Sequence, residues 1–132
     1  MKTSSILFAG LFSLAVSTSA AWALDCRNPQ TQIDINRCGT SDLDREANRI
    51  NKTYNDYRAK LNPAQTQEFK AVQLAWIKFK DLSCKFEASG AEGGSMYSTV
   101  LSGCLTAKTI QRNKELEALA SCQEGDSSCP AW

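Results

Sequence analysis

A regular repeat of apolar residues between residues 69 and 86 limits this part of the chain to a helix. The members are spaced by three or four residues, and Ser83 occupies the only polar position. This period places all of the side chains on one face of an α-helix, so we expect that face to be buried. Five apolar residues form the repeat: Phe69, Val72, Trp76, Phe79 and Phe86.

A second repeat of the same period precedes the first one. Asn62-Pro63 separates the two, and Gln65 completes the pattern of a helix N-terminal capping box. Because so short a connection reverses the chain, we expect two antiparallel helices that form a helical hairpin. The second repeat consists of Leu43, Ala47, Ile50, Tyr54, Tyr57 and Leu61.

Two further helices are predicted around this hairpin. Asn28-Pro29 is expected to start a short N-terminal helix that buries Ile33 and Ile35 and runs to about Cys38. Gly39-Thr40-Ser41 should break it, with Ser41 capping the next helix. A third main helix is predicted from about Tyr97 to Leu119. The fold class is thus all-α, a small disulfide-tied bundle of three main helices with a short N-terminal helix.

Arg112 interrupts the apolar face of the third main helix. That face otherwise carries apolar residues, a cysteine and a threonine. We interpret Arg112 as a snorkelling side chain or as the partner of a carboxylate in the hairpin, in preference to a ligand-binding residue. The face consists of Leu101, Cys104, Leu105, Thr109, Arg112, Leu116 and Leu119.

Residues 1–23 have the pattern of a secretory signal peptide. Lys2 precedes an apolar run over residues 6–16, and Ala21-Trp22-Ala23 fits a cleavage site. The run is too short to span a bilayer. We therefore expect a periplasmic or secreted protein after cleavage near Ala23. Its predicted parts are a helical domain over residues 24–120 and a tail over residues 121–132.

Six cysteines in an exported chain indicate three disulfides. Cys122 and Cys129 are expected to pair locally within the tail. The other four should gather at one end of the bundle, where three pairings are open. The helix arrangement favours Cys26–Cys84 together with Cys38–Cys104.

Composition excludes several classes of function. The 15 basic residues include Lys2, so the exported chain balances 14 basic against 14 acidic residues. Such a neutral chain is not typical of proteins that bind nucleic acid. The chain has no histidine, and its cysteines are expected to be paired. We therefore predict no enzyme activity, catalytic residue, metal site, cofactor or small-molecule substrate.

Several short motifs together resemble the LprI-type family of exported bacterial proteins, which is named for a lysozyme inhibitor. The resemblance covers about Cys26 to Leu119. It implies a disulfide-tied helical domain in the envelope and a protein partner such as lysozyme, whose cleft the protein would block. The motifs are Asp25-Cys26, Thr31-Gln32, Asn36-Arg37-Cys38, Ala75-Trp76-Ile77, Phe79-Lys80-Asp81, Cys84, Gly93-Gly94-Ser95, Cys104, Thr109, Arg112 and Leu116.

The loop from Ser89 to Tyr97 is the predicted binding element. It offers a carboxylate, a hydroxyl, exposed glycine N–H groups and an aromatic ring. The opposing interpretation is that the loop only turns the chain, and that the protein is a structural or interaction module without inhibitory activity. The candidate partner-binding residues are Glu87, Glu92, Gly93, Gly94, Ser95 and Tyr97.

Overall fold

The computed structural model describes residues 24–123 and 125–130, and this part of the chain forms an all-helical fold. The predicted signal peptide lies outside the described residues. None of the described helices is long and apolar enough to cross a membrane. Three helices make up the fold, with a short 3-10 turn between the last two: α1 (Gln32–Arg58), α2 (Pro63–Ala88), the turn (Ser89–Ala91) and α3 (Tyr97–Ala120).

The short connections make α2 antiparallel to α1 and α3, as predicted for a bundle. α1 and α3 run parallel, since Gln32 Nε2 donates to Thr99 Oγ1 (2.9 Å) near their starts and Arg49 lies 3.0 Å from Glu117 further along. α3 is the central helix, because α1 packs along it extensively and α2 packs along another side of it.

The predicted start of α2 is confirmed in detail. The Asn62 side chain accepts a hydrogen bond from the Gln65 N–H (3.0 Å), and the Gln65 side chain accepts one from the Asn62 N–H (3.1 Å). This reciprocal capping satisfies two N–H groups that have no partner within the helix. The sharp start allows α2 to reverse direction directly after α1.

The predicted break at Gly39-Thr40-Ser41 is wrong, because α1 is continuous from Gln32 to Arg58. Thr31 caps it through a capping box with Asp34, so the expected short helix is the first part of α1. Ile33 is 62% exposed and not buried as expected.

Gly39 instead permits a close approach of α1 to α3. A Cβ atom on this residue would lie 2.6 Å from Ser102 Oγ, which is inside van der Waals contact. A glycine within a helix costs about 1 kcal/mol relative to alanine. The two helices lie too close together here for a side chain, which explains why a glycine occupies this position despite that cost.

An aromatic and aliphatic cluster holds the helices together at the end where α1 connects to α2. The Phe69 ring stacks on Tyr54 with centroids 4.7 Å apart and meets Tyr57 edge-on at 5.0 Å. Ile50 and Leu116 complete the buried cluster, and Trp76 packs against it while partly exposed. The predicted apolar repeat of α1 is therefore confirmed as a core-facing surface.

The predicted burial of the entire repeat in α2 is wrong. Phe69 is buried, but Val72, Phe79 and Phe86 are 54%, 60% and 81% exposed. Gln73, Cys84 and Ala88 are buried on the side of α2 that meets α3. Leu74 and Ile77 are also exposed, and five further exposed apolar residues form a stripe that we call the outer face of α2: Val72, Ala75, Phe79, Leu82 and Phe86.

The three described disulfides pair cysteines that are close in the chain. They join Cys26 to Cys38, Cys84 to Cys104, and Cys122 to Cys129. The local pair in the tail was predicted correctly, whereas the favoured Cys26–Cys84 and Cys38–Cys104 pairs are wrong. Because α1 has no break, the segment that precedes α1 folds back onto the second turn of that helix. Cys26 therefore reaches Cys38 and not Cys84 of α2.

Arg112 is nearly buried and makes its ion pair within its own helix. Its Nη1 lies 2.8 Å from Glu115 Oε2, and its Nε donates to Gln73 Oε1 of α2 (3.2 Å). The predicted ion pair is therefore present, but the carboxylate comes from α3 and not from the hairpin. The contact with Gln73 adds a polar link between α2 and α3.

Replacing Gly39 with leucine should lower the free energy of unfolding by about 1–3 kcal/mol, because the new side chain would overfill the α1–α3 contact. Gly103→Leu is the matched control, since Gly103 also lies within a helix and an added Cβ would meet no atom within 4 Å. Urea denaturation measures both. Equal stabilities of the two variants would contradict the close approach at Gly39.

Candidate protein-interaction site

The loop between α2 and α3 is shorter than predicted. Ser89–Ala91 forms the 3-10 turn that continues α2, so the irregular segment runs only from Glu92 to Met96. Glu92 and Ser95 are exposed, whereas Tyr97 is half-buried as the first residue of α3. Two polar side chains of the predicted site are therefore available to a partner, and its aromatic ring is less available than expected.

The two loop glycines have clear roles in the turn. Gly93 has a φ of +77°, which residues with a side chain rarely adopt. Gly94 is exposed, but its N–H donates to the Ala91 carbonyl (3.0 Å) and is therefore already engaged within the turn. A Cβ on Gly94 would also lie 3.2 Å from that carbonyl. Backbone geometry, and not a ligand, accounts for both residues.

Glu87 links α2 to α3 and lies outside the loop. Its Oε1 accepts a hydrogen bond from Ser83 Oγ (2.8 Å) and lies 3.0 Å from Lys108 Nζ. Its Oε2 lies 3.3 Å from Cys104 Sγ. The carboxylate is thus held beside the Cys84–Cys104 disulfide, where it supports the helix ends that carry the loop.

Sequence reasoning missed the exposed aromatic rings that lie before the loop. Phe86 and Phe79 belong to the outer face of α2, with Phe86 within the last turn of the helix. The position of Cys84 indicates where these rings lie once its pairing with Cys104 of α3 is known. A cysteine tied to α3 must face α3, and each residue advances about 100° around the helix. Phe86, two residues later, must then point away from α3.

Metal-binding side chains do not cluster in the part of the chain that the structure describes. Across residues 24–123 and 125–130 no group of three or more His, Cys, Asp or Glu side chains could hold a metal ion. All cysteines in this part of the chain are paired. A cavity of about 250 Å³ opens between the helices beside Tyr57, Phe69 and Arg112.

The environment of Glu87 predicts a measurable shift in its titration. The hydrogen bond from Ser83, and after it the contact with Lys108, lowers the pKa of the Glu87 carboxyl below its ordinary value of 4.5. Its ionised form therefore stabilises the fold above that value, and the contribution is lost as the pH falls through the lowered pKa.

Carbon-13 NMR should place the titration midpoint of Glu87 below 4.5. Ser83→Ala and Lys108→Gln should each raise the midpoint, since each removes a contact that lowers the pKa of the Glu87 carboxyl. A midpoint that does not respond to Ser83→Ala would show that this contact is not formed in solution.

Comparisons with known proteins agree with this architecture. A family model described as "Lysozyme inhibitor LprI" matches residues 26–116. An uncharacterized protein of Rhizobium meliloti (strain 1021) is 31% identical over 113 residues, covering 76% of this chain and 81% of the relative. No solved structure matches the chain. The match extends from the first cysteine through the core residue Leu116, and the chain belongs to the LprI family.

Proposed function

We propose that this protein binds a lysozyme and inhibits it by blocking the cleft that receives the sugar chain. The family match over residues 26–116 carries this proposal. A lysozyme cleft is a groove that contains a pair of carboxyl groups and accepts an extended polysaccharide. A small rigid protein can occupy such a groove with a protruding element.

The end of the bundle at the Cys84–Cys104 disulfide is suited to this role. Cys84 is fully buried, and the disulfide joins the end of α2 to the beginning of α3. The loop from Glu92 to Met96 lies between these two tethered helix ends. Because the loop is already held in a turn by its own backbone hydrogen bonds, binding would cost little conformational entropy.

The loop and the end of α2 offer the groups that an inhibitor needs. Glu92 and Ser95 are exposed polar residues that can hydrogen-bond in the cleft. Phe86, 81% exposed, supplies an aromatic anchor in place of the half-buried Tyr97. Interfaces derive most of their affinity from a few such anchors. Gly93 and Gly94 act indirectly by shaping the turn.

Export is part of this proposal. The described disulfides support it, since disulfides persist in oxidising compartments such as the periplasm. The protein acts there as a binding protein and not as an enzyme. The predicted cleavage after Ala23 would release it from its signal peptide.

Lysozyme-driven clearing of a cell-wall suspension tests the proposal. The purified protein should slow clearing by at least one lysozyme class in a dose-dependent manner. Phe86→Ala, Glu92→Ala and Ser95→Ala should fold normally, since all three side chains are exposed. At least one of them should weaken inhibition tenfold or more, which equals about 1.4 kcal/mol of binding free energy.

Glu68→Ala is the control for these variants. Glu68 is exposed near the start of α2, roughly 30 Å along the helix from its end. This variant should inhibit as well as the unmodified protein. Absence of inhibition against every lysozyme class would refute the function. If all three loop-end variants inhibit as fully as the unmodified protein, the proposed location of the binding site is wrong, but lysozyme inhibition itself is not contradicted.

A further inference from the structure

The outer face of α2 is a continuous apolar surface along a helix. Its residues follow one another at spacings of three, four, three and four, from Val72 to Phe86. Four of them have large side chains, with exposed fractions between 54% and 81%. Single exposed apolar residues are ordinary on proteins, but a contiguous stripe of this kind marks an interaction surface.

The spacing identifies what can cover this surface. Apolar residues at alternating spacings of three and four form the seam along which two helices pack in a coiled coil. The stripe covers four helical turns, about 21 Å. A second helix laid along it would insert side chains between Phe79, Leu82 and Phe86.

Other described elements touch the stripe at two places only. Lys108 of α3 places its Nζ 5.5 Å from the centroid of the Phe79 ring, and Val72 lines the cavity beside Tyr57 and Phe69. α2 packs on α3 through its opposite side, which carries Cys84 and Ala88. The large side chains of the stripe therefore remain more than half exposed within residues 24–123 and 125–130.

The charges along the stripe are unequal. Lys78 and Lys85 follow one edge, and neither makes an ion pair with a described residue. Along the other edge lie Ser83 and the half-exposed Trp76. The lysines near that edge, Lys80 over the Trp76 ring and Lys108 over the Phe79 ring, are paired with Asp81 and Glu87. Positive charge without an ion pair to a described residue therefore borders the apolar seam along the edge of Lys78 and Lys85.

We propose that the outer face of α2 binds an amphipathic helix of a partner protein whose apolar seam is bordered by acidic residues. Acidic side chains beside the partner's seam would pair with Lys78 and Lys85, in the way that flanking charges select partners in coiled coils. This surface shares Phe86 with the proposed lysozyme-binding end but extends from there along α2 to Val72, and the proposal does not depend on lysozyme inhibition.

Charge argues against a second copy of this chain as the occupant. If two copies packed antiparallel through their outer faces, Lys78 of one would approach Lys85 of the other, and like charges would repel. If they packed parallel, Lys78 and Lys85 would face the edge with Trp76 and Ser83, where the carboxylates of Asp81 and Glu87 are already paired with Lys80 and Lys108. Neither arrangement provides carboxylates that could form ion pairs with Lys78 and Lys85.

Two synthetic helical peptides test the proposal. Both carry the same leucine repeat over three heptads, but one has glutamate at the flanking positions and the other has lysine. Fluorescence anisotropy should show that the acidic peptide binds at least tenfold more tightly than the basic one. Phe79→Asp should weaken binding of the acidic peptide at least tenfold, because it places a charge in the seam.

A charge reversal makes the test specific. The double variant Lys78→Glu/Lys85→Glu should prefer the basic peptide. The control Lys60→Glu/Lys114→Glu changes the net charge equally at exposed positions away from the stripe and should keep the original preference. Circular dichroism should show that all variants remain helical.

Four outcomes would overturn the proposal. The first is equal affinity for the two peptides, and the second is a control that shifts the preference as much as the stripe variant does. The third is a dimer in sedimentation velocity that Phe79→Asp dissociates, which would assign the face to a second copy. The fourth is binding to phosphatidylglycerol vesicles without peptide binding, which would assign it to a lipid surface.

Discussion

The Cys84–Cys104 disulfide determines how α2 is presented to its surroundings. It joins a fully buried residue of α2 to α3 and thereby sets the rotation of α2 about its own axis. Glu87 and Lys108 reinforce the same contact from the surface. With Cys84 directed at α3, one set of side chains must face the bundle and another must face outward. The exposed outer face and the tethered loop both result from this constraint.

Much of the fold could be predicted from the sequence because two helices bury simple apolar faces. Ile50 and Tyr57 of α1 and Leu116 of α3 lie in the core, as their spacing predicts. The capping box at Asn62 and Gln65 also follows directly from residue types. These features depend on local chemistry and on a period that matches the helix. They require no knowledge of which helices become neighbours.

The errors arise where the outcome depends on a neighbouring helix. The repeat in α2 is wider than the strip that α3 can cover, so Phe69 turns inward while Phe79 and Phe86 turn outward. Gly39 resembles a helix break in the sequence, but the proximity of Ser102 explains it only once α1 and α3 are placed together. The disulfide pairs were misassigned for the same reason, since an unbroken α1 keeps Cys26 beside Cys38.

The candidate site residues differ in how far they are available to a partner. Glu92 and Ser95 are exposed in the loop as expected, but Glu87 and Gly94 are engaged within the protein. The aromatic surface lies on α2 and not at Tyr97.

The exposure of the phenylalanine rings of α2 is measurable by NMR with a soluble gadolinium chelate, which broadens solvent-exposed protons. The ring protons of Phe79 and Phe86 should broaden strongly, and those of the buried Phe69 should not. Equal protection of all three rings would contradict the rotation of α2 on which both proposed surfaces depend.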